Sequence, residues 1–171
     1  SNDPIMTAGV VSACKKATSK PIITKLSPNQ SDIKKSAQAC IESGTDALSV
    51  INTISGMAID AEKKEPILGN RVGGLSGPAI KPIALLKVFD VFTVAKKHNI
   101  PILGQGGISN ANDALEFILA GATTVGVGTA LFFDPLICSK INSGISKYLD
   151  NQGHRSLVEI IGGAHKKSRP A

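Results

Sequence analysis

Four short apolar runs, each followed by a stretch with the spacing of an amphipathic helix, restrict this chain to a parallel α/β sheet. The runs cover residues 21–26, 47–51, 100–103 and 124–127. They are apolar at successive positions, as parallel strands covered by helices should be. Residues 31–43 start at Ser31, set Ile33, Ala37, Cys40 and Ile41 on one face, and stop at Gly44. Residues 80–98 carry Pro82 in the first turn and a stripe of Ala84, Val88, Val91 and Ala95. Residues 110–120 place Ala111, Ala114, Leu115, Ile118 and Leu119 at helical spacing before Gly121. Residues 135–149 follow the cap and first-turn proline of Asp134-Pro135. A helix over 5–18 precedes the first strand, and a short one over 156–161 ends at Gly162-Gly163.

This order fits either a (β/α)8 barrel or a doubly wound sheet. Four strands cannot close a barrel of eight, and the chain opens on a helix with no strand before it. The expectation is therefore the C-terminal half, the last four βα units, of a TIM barrel. Residues 1–171 would be the C-terminal part of one domain whose N-terminal half lies outside them. With 171 residues, 42% of them hydrophobic, a core is within reach and disorder is not indicated. No apolar stretch approaches the roughly 20 residues of a membrane span. Ser1-Asn2-Asp3-Pro4 has neither a basic region nor an apolar signal core, so a cytoplasmic location is expected.

Three cysteines, Cys14, Cys40 and Cys138, are odd in number and lack metal-ligand spacing. Cys14 and Cys40 are read as small buried hydrophobes; neither a metal site nor a catalytic cysteine is assigned. The net charge of +6 is spread over the helices and concentrates only at His165-Lys166-Lys167-Ser168-Arg169. With one Tyr and no Trp to stack on bases, that run reads as a solvated tail, and no nucleic-acid partner is expected.

Two glycine turns follow the last two runs: Gly104-Gln105-Gly106-Gly107 and Gly126-Val127-Gly128-Thr129. Backbone N–H groups from two successive βα turns can converge on one phosphate, the usual anion position in such barrels. Either turn alone could be a tight connection. Gly73-Gly74-Leu75-Ser76-Gly77-Pro78 adds glycines before the helix at 80, where backbone can approach a ligand. It closes an irregular run, 52–79, whose length suggests function.

Lys25 stands within an apolar strand; a buried ammonium there needs a counter-charge or an electron-rich ligand, unless it snorkels out from the strand end. Asn52 and Thr53 end the second strand, where a carboxamide suits a planar ligand of alternating N–H and C=O groups. Capping of the next turn is their competing role.

Taken together, Lys25-Leu26-Ser27-Pro28-Asn29, Ile51-Asn52-Thr53, Gly56-Met57-Ala58-Ile59-Asp60, the run from Gly73 to Pro82, Gly104 to Ile108 and Val127-Gly128-Thr129-Ala130 resemble the second half of class 1 dihydroorotate dehydrogenases. The Gly-Met-Ala-Ile-Asp and Leu-Ser-Gly-Pro-Ala-Ile-Lys-Pro stretches look most like class 1B, the NAD-linked form. The resemblance implies an FMN-dependent oxidation of dihydroorotate to orotate in pyrimidine biosynthesis, by hydride transfer to flavin N5. It implies that Lys25 lies against the flavin pyrimidine edge and that Ile51 meets the ring through its backbone. Asn52 and Thr53 would hold orotate, and Gly77, Gly106, Gly107, Gly128 and Thr129 the ribityl phosphate.

The family's base is a cysteine on a loop after the fourth strand. No residue here matches it, so no catalytic residue is assigned within the chain and the base is expected upstream. Residues 1–171 alone are then expected to be inactive. The resemblance further implies a homodimer and an electron-transfer partner carrying FAD and an iron–sulfur cluster. Two other readings remain: the pyrimidine-reducing domain of dihydropyrimidine dehydrogenase, and a half barrel that binds phosphate without catalysis.

Overall fold

The computed structural model describes residues 3–166. The run from Lys167 to Arg169 and the Ser1-Asn2 pair lie outside them. Helix α1 (Pro4–Ala17) starts where the Asp3 side chain accepts the Ile5 N–H and Pro4 takes the first helical position. It is followed by β1 (Ile23–Leu26), α2 (Ile33–Glu42) and β2 (Ala47–Val50). The cap of α2 is Asp32, one residue past the expected Ser31, because the Asp32 carboxylate accepts the Lys34 N–H. Asp46 joins the base of this unit: it accepts the Ile22 N–H at 2.7 Å and the Lys15 ammonium at 2.9 Å, and these hold its carboxyl below the usual range.

The stretch after β2 is less irregular than expected. It folds into two small antiparallel ladders, β3 (Ile54–Gly56) with β6 (Gly73–Leu75) and β4 (Ile59–Asp60) with β5 (Glu65–Pro66). Then come α3 (Lys81–Ala95), β7 (Ile102–Gln105), α4 (Ala111–Ala120), β8 (Thr124–Gly126) and α5 (Ile137–Gln152). The α3 stripe of Ala84, Val88, Val91 and Ala95 is wholly buried, as its spacing indicated. Helix α5 begins two residues late: Asp134 accepts the Leu136 N–H in a turn before it. The expected helix at 156–161 is a single 3-10 turn, Leu157–Glu159.

The main sheet is parallel throughout, in the order β1-β2-β7-β8. Order follows the chain without reversal, so the sheet has no topological switch point of the kind that opens a crevice in doubly wound folds. The helices pack in sequence, α1 on α2, α2 on α3, α3 on α4 and α4 on α5. With crossovers of one hand, that order keeps them on one face.

The register separates the two faces. Leu26, Val50, Gly104 and Val125 share one row; Leu26, Val50 and Gly104 are buried under the helices. Lys25, Ser49, Leu103 and Thr124 share the next row on the opposite face, where Lys25 and Thr124 are exposed and nearby Ile23 is 58% exposed.

Gly104 is therefore a packing residue of β7 and not part of a phosphate turn. A Cβ there would stand 2.8 Å from the Ala122 methyl and 2.9 Å from the Phe117 ring. Phe117, absent from the expected stripe, is the largest fully buried side chain. Cys40 is buried as expected, but Cys14 is exposed. Helix α1 buries only Thr7 and Val11, and Cys14 continues the outward line of Met6 and Val10 at four-residue spacing. His165 is no part of a solvated tail: its ring stacks on Phe89 at 3.7 Å and Nε2 bonds the Ala120 carbonyl at 2.9 Å. Among the described residues no helix is long and apolar enough to cross a membrane.

Replacing Phe117 with Ala in the full chain should cost about 3–5 kcal/mol of unfolding free energy, because the cavity opens against Gly104 and cannot be filled from the backbone. Urea denaturation reads this directly; a loss below about 1 kcal/mol would show that the helix layer collapses to fill the gap.

Candidate functional site

The C-terminal ends of the four parallel strands meet one cleft of about 150 Å³, which adjoins a second of about 280 Å³. All nine residues singled out from the sequence line the first: Lys25, Ile51, Asn52, Thr53, Gly77, Gly106, Gly107, Gly128 and Thr129. Gly77, Gly107, Gly128 and Thr129 also line the second.

One end of the cleft is built from glycine backbone. Gly77 and Gly107 have φ of +87° and +79°, conformations that L side chains rarely adopt. A Cβ on Gly107 would stand 2.8 Å from the Gly77 carbonyl oxygen and 3.0 Å from the Lys81 nitrogen, so the β7 turn and the start of α3 touch backbone to backbone. A Cβ on Gly106 would come within 2.6 Å of the Ala84 methyl. Gly128 is different: its φ is −116° and a Cβ there would meet nothing within 4 Å. Glycine at 128 keeps the cleft open, with no neighbour that a side chain would strike. The N–H groups of Gly107 and Gly128 donate to no acceptor among the described residues, as a site for an anion requires.

Side chains tie these turns together. Thr129 Oγ1 and Ser76 Oγ are 2.8 Å apart, linking the β8 turn to the segment before α3. The Asp113 carboxylate accepts the Lys81 ammonium at 2.7 Å and the Ser109 N–H at 2.9 Å. Burial would raise the Asp113 carboxyl, but Lys81 and Ser109 outweigh it and hold it below the usual range. Lys81 is raised in turn by its bonds to Asp113 and Glu116.

The other end is built around β2. Ile51, 3% exposed, donates its N–H to the Gln105 carbonyl at 3.0 Å, and its own carbonyl accepts Gln105 Nε2 at 3.1 Å. The Val50–Ile51 peptide is cis. The Asn52 N–H donates to the Leu26 carbonyl at 2.9 Å, and Asn29 clamps the next corner, donating to the Thr53 carbonyl and accepting the Ser55 N–H. The Asn52 carboxamide itself makes no hydrogen bond among the described residues, so the capping role is not used and its donors and acceptor face solvent. Lys25 is exposed and forms none of the described ion pairs, which corrects the burial argument made from its strand. Its row lies on the uncovered face of the sheet, so no desolvation cost arises there.

Sequence reasoning missed Gln105, Asn29, Ser76 and Asp113. Gln105 shares the period-two parity of Leu103 on the uncovered face, a signal that was available. Asp113 stands three residues after the cap Asn110, a local capping signal, but its bond to Lys81 joins distant segments, as do the contacts of Asn29 with Thr53 and of Ser76 with Thr129.

A family model described as dihydroorotate dehydrogenase matches residues 1–149. Curated proteins named dihydroorotate dehydrogenase B (NAD(+)), catalytic subunit, from Trichlorobacter lovleyi and Geotalea daltonii are each 53% identical over 160 residues, covering 94% of this chain and 52% of theirs. The protein of that name from Bacteroides thetaiotaomicron is 53% identical over 153 residues, covering 90% of this chain and 50% of its own. The chain thus spans about half the length of the curated relatives it matches.

The contrast between two glycines is testable by thermal unfolding. Gly107→Ala should lose about 1–2 kcal/mol from the positive φ alone, and more from the clash with the Gly77 carbonyl. Gly128→Ala strikes no atom and should lose less than Gly107→Ala. Equal effects would contradict the geometry described.

Proposed function

The chain belongs to the dihydroorotate dehydrogenase family, and from that premise we propose that it forms part of an FMN-dependent enzyme that oxidises dihydroorotate to orotate. The observation that carries the proposal is the meeting around one cleft of the nine residues that the family resemblance picks out, glycine turns at one end and Lys25, Ile51, Asn52 and Thr53 at the other. Uncommitted N–H groups on Gly107 and Gly128 fit a phosphate, and the open space at Gly128 leaves room for it. Gly77, Gly106, Gly107, Gly128 and Thr129 hold that end of FMN in this reading, and the Ile51 backbone lies at the ring.

When bound, FMN supplies the hydride acceptor. Lys25 offers a fixed positive charge where negative charge grows on reduction, which favours the reaction electrostatically. Asn52 and Thr53 hold the substrate by donors and acceptors that no protein group occupies. Gln105 keeps Ile51 in place beneath them. The proton of the substrate is taken by a base outside residues 1–171: none of Cys14, Cys40 or Cys138 lines the cleft, and burial pushes the Cys40 thiol up to about 11.

The sequential strand order and the single covered face support a segment of a (β/α)8 barrel, with the bare face turned inward. The relatives' naming as catalytic, NAD(+)-linked subunits supports an electron-transfer partner, for which an iron–sulfur flavoprotein is proposed, and a homodimer is proposed with it.

Anaerobic mixing of the flavin-loaded full-length protein with dihydroorotate should bleach the flavin absorbance, and Lys25→Met should slow that bleaching about a hundredfold. Residues 1–171 expressed alone should show no turnover. Flavin reduction by dihydrouracil but not by dihydroorotate would favour the pyrimidine-reductase reading. A chain that binds phosphate but no flavin would favour the non-catalytic one.

A further inference from the structure

We infer that Asp113 is the positioning residue of the phosphate end: its carboxylate locks the Gly106-Gly107 turn to the start of α3, so that Gly77 and Gly107 present one fixed surface to a dianion. The inference rests on the reading of this end of the cleft as a phosphate site.

The Asp113 side chain is only 8% exposed and accepts four hydrogen bonds. Oδ1 takes the Lys81 ammonium at 2.7 Å. Oδ2 takes the Ser109 N–H at 2.9 Å, the Ser109 hydroxyl at 2.7 Å and the Asn110 amide at 3.0 Å. Ser109 stands two residues beyond Gly107, and Lys81 four beyond Gly77. One carboxylate therefore spans the two segments whose backbones touch at Gly77 and Gly107.

Helix capping accounts for one half of these bonds. Asn110 caps α4 by accepting the Asp113 N–H at 3.0 Å, and Asp113 Oδ2 reaches back to Ser109 and Asn110 in return. Oδ1 lies outside that cap and goes to Lys81 on α3, so the same carboxylate that fixes the entry to α4 also ties it to α3.

The same arrangement decides what Lys81 does. Its ammonium lies 2.7 Å from Asp113 and 3.0 Å from Glu116, so two carboxylates compensate its charge within the chain. Lys81 acts as a strut between α3 and α4. The attraction for an anion then comes from backbone N–H groups, whose aim depends on the turn being held still.

An amide at position 113 keeps the size and breaks the bridge. Asn has one acceptor oxygen and one donor group. If the oxygen stays with Ser109, the amide nitrogen faces the Lys81 ammonium, donor against donor. If the amide turns over, the Ser109 N–H loses its acceptor.

The test compares FMN with riboflavin, which shares the ring and lacks the phosphate. The full-length protein that contains these residues, with its Asp113→Asn and Lys81→Gln variants, is stripped of flavin and titrated with each ligand by fluorescence quenching. The parent should prefer FMN. Asp113→Asn should lose about tenfold or more of that preference with riboflavin affinity unchanged, and Lys81→Gln should lose less in the same direction. An undiminished preference in a folded variant, or equal weakening of both ligands, overturns the positioning role. If Asp113→Asn does not fold, Lys81→Gln decides. A parent with no preference for FMN overturns the phosphate reading itself, and is told apart because it appears before any substitution.

Discussion

Gly107 meets the Gly77 carbonyl at a distance that no side chain could share, and the cleft depends on that approach. The β7 turn and the segment before α3 are far apart in the chain. They come together because Gly107 carries no Cβ, and both glycines adopt positive φ. A backbone contact of this kind needs a second constraint to hold its register, since glycine turns are flexible by themselves. Ser76 with Thr129 on one side, and Asp113 with Lys81 and Ser109 on the other, supply it with hydrogen bonds between side chains.

The sheet beneath has two unlike faces. The row of Leu26, Val50 and Gly104 is dry and tightly packed, and Phe117 fills the space that Gly104 leaves. The row of Lys25 and Thr124 is open, with Ile23 exposed beside it. That row is mixed in character, Lys25, Ser49 and Thr124 with Leu103, and Ser49 is already buried between its neighbours, so the strands are apolar on the helix-covered face and only partly so on the other. In the barrel reading that face is interior, and Lys25 gains the enclosure that its strand pattern suggested. The charge would then sit where a ligand could compensate it.

Helices were legible where burial alone determines them. The α3 stripe needs only the 3.6-residue period, and it is buried to the last residue. Boundaries set by side-chain hydrogen bonds were less so: Asp32 and Ser31 are both good caps, and only the folded chain shows which one reaches an N–H. The ladders after β2 are two or three residues long, and one of them is rich in glycine, so neither is long enough for a period of two to register. Phe117 went unread because its pocket is made by a glycine on another element. Within the cleft, the residues that line it were legible as motif positions, whereas those that hold the lining in place were not. The parity of Gln105 shows its face but not its partner: Asp113 and Gln105 bond to segments 32 and 54 positions away, and no local pattern names such partners.

The two ends of the cleft are prepared differently, and the difference follows from what each would bind. At the glycine end the turns are cross-braced and both oxygens of the Asp113 carboxylate are already paired, so little ordering would be left for a small symmetric anion to impose. At the other end the backbone is held, by Gln105 on Ile51 and by Asn29 on residues 53 and 55, while the side chains of Lys25 and Asn52 have no protein partner among the described residues. A polar group on a braced backbone, left unpaired, gains most from a ligand that supplies its missing partner and least from one that cannot. In the proposed reading such an end would discriminate between planar rings by their donor and acceptor edges, and the braced end would contribute affinity common to any ligand bearing the same phosphate.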